Sequence, residues 1–226
     1  MPQATDPVSP ELTAAARDAM VDSQVRPNKV IDPRIVGAMR TIPREAFLPP
    51  SLRVWAYADD DVKLGGGRVM MSPMVTARLL QGASVRLGER VLLIGAGTGY
   101  TAALLDACGA RVTALEEDAA LLAIAGSALA EWAPGTNLVQ GALAAGWAAA
   151  APYDLVMIEG AVESLPAGIL SQIDPNGRLV MVRAAPGEVA RAVMGRPSGG
   201  SLSFVPLFDC AVAVLPAMRQ APAFVF

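Results

Sequence analysis

The stretch Arg90-Val91-Leu92-Leu93-Ile94-Gly95-Ala96-Gly97-Thr98-Gly99-Tyr100 decides the fold. Arg90 to Ile94 is a short apolar run that reads as a buried strand, and a glycine cluster ends it. Tyr100 to Cys108 reads as a helix. Glycines between a strand and a helix are the context a nucleotide-type loop requires. They allow a tight turn and let a ligand approach the backbone. The following helix points its free N–H groups at the loop, which favours a carboxylate or phosphate there.

Outward from this loop, strand and helix signals alternate. Arg111 to Glu116 reads as a strand, Asp118 to Trp132 as an Ala-rich helix and Asn137 to Gln140 as a brief strand. Tyr153 to Ile158 and Arg178 to Val182 give two more strands, with a helix expected over Pro166 to Ile173. Such alternation implies a parallel sheet with right-handed crossovers. Leu202 to Leu207 and Cys210 to Leu215 suggest an antiparallel hairpin at one edge, for seven strands with helices on both faces. Upstream, Glu11 to Val21 and Ile31 to Ile42 read as helices. The second is opened by Asp32-Pro33 and striped by Ile35, Val36 and Met39. Pro43 to Gly67 is rich in Pro, Asp and Gly and reads as a loop, and Pro73 to Leu80 as a helix. The whole reads as one domain, with residues 1–72 a helical and loop extension and residues 73–226 the α/β core.

The glycine spacing is G-x-G-x-G; a dinucleotide fingerprint needs G-x-G-x-x-G, and position 100 is Tyr. The shorter spacing is the S-adenosylmethionine (SAM) pattern, which makes Gly95, Ala96, Gly97 and Gly99 candidate cofactor contacts. The competing reading is a tight structural turn without a ligand. Glu116 ends the next strand about 20 residues on, where an acid can accept hydrogen bonds from both ribose hydroxyls. Its alternative is a solvated strand-end carboxylate beside Glu117 and Asp118, ordinary helix N-terminal acids. Glu159 ends the fourth strand on the edge where ligands bind in open α/β sheets.

Composition narrows the chemistry. The 226 residues are enough for one α/β domain with a sizeable core. No apolar run reaches the ~20 residues that cross a bilayer. Met1 to Pro10 lacks a basic head followed by an apolar core, so no signal peptide is read and a cytoplasmic location is expected. Net charge is −3 with scattered basic residues, which argues against nucleic-acid binding. Cys108 and Cys210 suit neither a disulfide framework nor a zinc site, and no metal site is expected. The chain has no histidine. That removes Ser-His-Asp and His-Cys catalysis and leaves carboxylates, hydroxyls, a cofactor or positioning.

Several segments resemble one family, the protein-L-isoaspartate O-methyltransferases. Asp32-Pro33-Arg34-Ile35-Val36 with Met39, and Ile42-Pro43-Arg44-Glu45-Ala46-Phe47-Leu48-Pro49, are similar to its N-terminal stretch. Ala56-Tyr57 with Asp59 or Asp60, Val91 to Tyr100, Tyr153-Asp154-Leu155-Val156 and Gly177-Arg178-Leu179-Val180 resemble its later segments. The Pro-Arg-Glu-Ala-Phe segment is the specific one. The resemblance implies a Rossmann-like methyltransferase fold, SAM as cofactor, and methylation of the free carboxyl of isoaspartyl residues in damaged proteins or peptides. Such a carboxylate is already ionised at pH 7, its reference pKa being roughly 4. Catalysis then needs in-line positioning more than a base.

The chain departs from the family in its active-site loop, which reads approximately Gly-x-Gly-Gln-Thr-Ile-Ser-Gln-Pro. Here Gly65-Gly66-Gly67-Arg68-Val69-Met70-Met71-Ser72-Pro73 stands in its place. Met71 takes the serine's position and cannot donate a hydrogen bond. Ser72, one residue on, is the candidate catalytic hydroxyl. Arg68 could clamp a substrate carboxylate or be a solvated loop arginine, and Met70, Met71 and Met74 could line a pocket or fill the core. Leu93 and Ala142, the latter beside Gly141, stand where the family commonly has cofactor-contacting acids. The alternatives left open are a paralogue acting on another carboxylate or small molecule, and a non-catalytic SAM-binding module.

Overall fold

The computed structural model describes residues 9–220. The residues before Ser9, on which most of the leader reading rests, lie outside it. The chain opens with helix α1 (Pro10–Met20), whose first turn is capped by the Ser9 hydroxyl accepting from the Leu12 N–H. A π-turn over Val21–Val25 follows. Helix α2 (Pro33–Thr41) is capped by the Asp32 carboxylate and buries Ile35, Ala38 and Met39.

The segment expected to be an irregular loop holds more structure. It contains two 3-10 turns, Arg44–Phe47 and Pro50–Trp55. Strand β1 (Val62–Gly65) then pairs antiparallel with β2 (Arg68–Met70). Gly66 and Gly67, at φ +56° and +76°, make the two-residue turn that such a hairpin favours. Helix α3 (Pro73–Ala83) leads into the sheet.

β3 (Arg90–Ile94), α4 (Tyr100–Ala107), β4 (Arg111–Glu116), α5 (Ala119–Trp132) and β5 (Asn137–Gln140) follow as expected. β6 (Tyr153–Val162) runs four residues further than its apolar core, carried by a bulge between Met157 and Ala161 that includes Gly160 at φ +141°. The helix expected over Pro166 to Ile173 shrinks to α6 (Ala167–Leu170). Pro175 cannot extend a helix, and Ile173 already pairs with Tyr153 as the start of β7 (Ile173–Arg183).

The edge hairpin exists, but one element earlier than the tail pattern indicates. It is β8 (Arg191–Ser198) and β9 (Ser201–Asp209), turned by Gly199-Gly200 at φ +55° and +82°. Gly195 and Pro197 disguise β8 in the sequence. Cys210 to Leu215, expected as the second hairpin strand, instead leaves the edge and crosses back over the sheet. There Val214 bridges Ala161 in parallel.

The seven strands run β5-β4-β3-β6-β7-β8-β9, parallel through β7 and antiparallel at the last two pairs. β3 is buried on both faces. Val91 and Leu93 join one core cluster, Leu92 and Ile94 the other. This explains the unbroken apolar run. Among the described residues no helix is long and apolar enough to cross a membrane.

The N-terminal extension is not a loose appendage, because Arg44 ties it to the core. Its guanidinium is fully buried 5.0 Å over the Tyr100 ring, and one N–H donates to the Met71 carbonyl. Phe47 meets the same ring edge-on at 5.5 Å. Burial pulls the Arg44 pKa below its ordinary value, while Tyr100 and Glu159 act against that shift. Its Nε and Nη1 have no partner among the described residues.

Arg44→Ala opens a cavity, strands the Met71 carbonyl and is expected to cost about 3–5 kcal/mol in urea unfolding. Arg44→Met keeps the volume and discards a desolvated charge, so it should cost less than half as much. Equal losses for the two variants would refute this view of the charge.

Candidate functional site

The glycine loop is held by the strand beside it. The N–H groups of Gly95 and Ala96 both donate to the Leu115 carbonyl, at 2.9 and 3.0 Å. Gly95, Gly97 and Gly99 have φ of +77°, +57° and +96°, a path only glycine follows without strain. At Gly99, which opens α4, an added Cβ would also lie 3.1 Å from Leu129.

Glu116 closes β4 directly beside the loop and is fully buried. Its carboxylate accepts from the N–H groups of Gly97 (2.7 Å), Glu117 (2.9 Å) and Asp118 (3.0 Å). It therefore fixes the loop against the first turn after the strand. Glu116 is thus not the solvated strand-end carboxylate of the alternative reading, and its expected role as the acid for a ribose is a matter for the proposal below.

Arg68 occupies the remaining acceptor positions. It opens β2, yet its side chain reaches 48 residues along the chain to form a two-pronged pair with Glu116, Nη1 to Oε1 at 2.6 Å and Nη2 to Oε2 at 2.8 Å. Nη2 also donates to the Gly95 carbonyl at 2.9 Å. With only 6% of its surface exposed, Arg68 is neither the solvated loop arginine nor a substrate clamp reaching outward.

Two other segments complete the cover. Leu64 of β1 lies near Gly97. Leu215 of the crossing segment packs against Gly95 and Gly160, and Pro216 packs against Gly67. The crossing segment is anchored by Ala161 N–H to the Ala213 carbonyl, Leu215 N–H to the Ala161 carbonyl, and the N–H groups of Glu163 and Ser164 to the Met218 carbonyl. As a result residues 95–100 are buried throughout. A carboxylate has about four lone-pair positions, and Glu116 already receives five N–H donors. While Arg68 holds both oxygens, Glu116 has no acceptor position left for a ligand's hydroxyls, so these residues fit an adenosyl ligand only once that side chain has moved.

The other expected positions scatter around this centre. The Gly141 N–H donates to the Glu116 carbonyl, whereas Ala142 is exposed at the end of β5. Leu93 is core. Met71 is fully buried among apolar side chains, so it fills the core rather than lining a cleft. Ser72 precedes α3 with its hydroxyl not used as a cap, and its N–H is held by Asp61 at 2.7 Å. Glu159 is buried, and its Oε2 has no partner among the described residues.

Three participants carry no local signal of their role in the sequence. Arg44 sits in the Pro-Arg-Glu-Ala-Phe segment, whose pattern gives it no task. Asp61 follows two other aspartates that hide it, and burial raises its pKa. Leu215 falls where a strand was expected.

Comparison with known proteins agrees with this architecture. The family described as protein-L-isoaspartate(D-aspartate) O-methyltransferase (PCMT) matches residues 15–193. A protein-L-isoaspartate O-methyltransferase of Methylorubrum extorquens (strain PA1) is 36% identical over 218 residues, covering 92% of this chain and 96% of that protein. One from Rhodopseudomonas palustris (strain HaA2) is 39% identical over 190 residues, covering 83% and 78%. Among solved structures, one titled protein-L-isoaspartate O-methyltransferase superposes with a TM-score of 0.75 at 22% identity, covering 88% of this chain and 65% of that one. A putative Plasmodium falciparum member, in complex with S-adenosyl-L-homocysteine, gives 0.75 at 15% identity, covering 89% and 98%. The glycine loop with its strand-end acid, the seven-stranded sheet and the match over most of the chain place this protein in the PCMT family of SAM-dependent O-methyltransferases, which methylate isoaspartyl residues in proteins.

Proposed function

We propose that this chain transfers a methyl group to the free carboxylate of isoaspartyl residues at the carboxyl edge of β3, β4 and β6, with residues 61–72 forming the substrate side of the cleft. The observation that carries this reading is the lock between Gly97 N–H and the Glu116 carboxylate, which holds a glycine loop and a diol-type acid in register on that edge. The chemistry suits a chain without histidine, because the nucleophile is ionised before it arrives.

In this reading Ser72 supplies the hydroxyl that meets the substrate carboxylate. Its backbone is fixed by Asp61 and by α3, while its side chain is uncommitted to either. Met71, one residue earlier, is sealed in the core. Arg68 is not a substrate contact here, because both prongs of its guanidinium are engaged. A cytoplasmic location belongs to the same proposal. Free Cys108 and Cys210 suit a reducing compartment.

Incubation of the purified protein with methyl-labelled SAM and an isoaspartyl peptide should place base-labile label on that peptide and leave the matching aspartyl peptide unlabelled. Label on neither peptide, or on both equally, would overturn the substrate assignment. Ser72→Ala should lower kcat by about tenfold or more while the fold is retained, in line with loss of one hydrogen bond that strengthens in the transition state. An unchanged kcat removes Ser72 from the site.

Glu159 gives an independent pH signature. Burial pushes its carboxyl up to about 8 from its ordinary value of 4.5, and Thr101, Arg68 and Arg44 offset that only in part. The folded chain thus keeps a proton that the unfolded chain releases. The contribution is intact below about pH 4.5 and is lost as pH rises toward about 8. Glu159→Gln should flatten this fall, so its stability gain over the parent grows between pH 5 and 8 in thermal unfolding. Parallel profiles for parent and variant would disprove it.

A further inference from the structure

We infer that Arg68 is an internal occupant of the cofactor site, and that ligand binding to this chain is a competition with the Arg68–Glu116 pair. The inference rests on the reading above, in which the site serves an adenosyl ligand. Of the five donors on the Glu116 carboxylate, three are backbone N–H groups that belong to the strand end and the glycine loop. The other two come from Arg68, one on each oxygen, at 2.6 and 2.8 Å. Two parallel donors, one per carboxylate oxygen, are the pattern that a pair of neighbouring sugar hydroxyls presents to an acid. The guanidinium fork reproduces it from within the chain.

The remaining geometry agrees. Nη2 of Arg68 continues to the Gly95 carbonyl, so the side chain lies along the loop as well as on the acid. An added Cβ on Gly95 would meet that same nitrogen and the Leu215 side chain, both at 3.2 Å. The glycine opening that would admit a ligand is thus filled by the protein's own atoms. Loop residues that would face a ligand are covered by the protein itself, including Ala96 at 1% and Thr98 at 2% exposure. Occupation requires Arg68 to leave. Departure separates a buried pair, which is costly unless the newcomer satisfies the carboxylate.

The test is calorimetric titration of S-adenosylhomocysteine and SAM into the full chain and into Arg68→Gln and Arg68→Lys. Removing the competing prongs should tighten binding by about tenfold or more in Arg68→Gln, the size of one to two charge-assisted hydrogen bonds. Arg68→Lys keeps a cation for Glu116 without the fork and should fall between the two. It also guards the experiment should the neutral variant unfold, with near-ultraviolet circular dichroism checking that each variant is folded. Affinities in both variants equal to or weaker than the parent's would overturn the competition. If the parent methylates an isoaspartyl peptide while the variants bind no tighter, the competition fails and the proposed function stands. If the variants bind tighter and none methylates, the competition stands and the proposed function fails.

Discussion

The carboxylate of Glu116 is the point on which the rest of this structure depends. It is buried, it terminates the strand next to β3, and it accepts hydrogen bonds from the glycine loop and from the turn that follows β4. A buried charge of this kind persists only when it is paired and hydrogen-bonded. Backbone N–H groups supply part of that requirement and Arg68 supplies the rest. The glycine loop, the β1–β2 hairpin and the crossing segment that ends near Met218 are all arranged around this one solvation problem.

The N-terminal extension serves the same centre from the other side. Arg44 and Phe47 grip Tyr100, the first residue of the helix that the glycine loop feeds. Arg44 also holds the carbonyl of Met71, and Asp61 holds the N–H of Ser72. The segment that departs most from the family's pattern is therefore clamped at its end by the segment that matches it best. This accounts for how an altered loop keeps a defined position.

The sheet was legible because parallel strands buried on both faces leave apolar runs that periodicity can find. Arg90–Ile94, Arg111–Glu116 and Asn137–Gln140 match their expected limits. β8 was not legible. Gly195 and Pro197 interrupt it; β8 lies between β7 and β9, but its pairing with β7 stops at Gly195, so Pro197 sits where only β9 runs alongside. At the site, local spacing exposed the glycine loop and Glu116. From sequence Arg68 reads as a substrate clamp or a solvated loop arginine, and it is neither: it is buried against this chain's own Glu116. No local pattern signals a contact spanning 48 residues. The role of Leu215 was hidden for a related reason, since a run with strand-like composition was instead used to cover the sheet's edge.

The turn at Gly66-Gly67 is a tight two-residue reversal, and the two strands it joins are paired down to Val62 and Met70. Their far ends are stapled by the Asp61–Ser72 bond. The register slips by one residue between Lys63 and Gly65, and the base is tied by the Asp61–Ser72 bond, so outward movement of the hairpin as a flap has to loosen that tie. Entry to the crevice would then be timed by how often this flap lifts. At high ligand concentration the observed association rate would level off at the lifting rate instead of climbing with each added molecule.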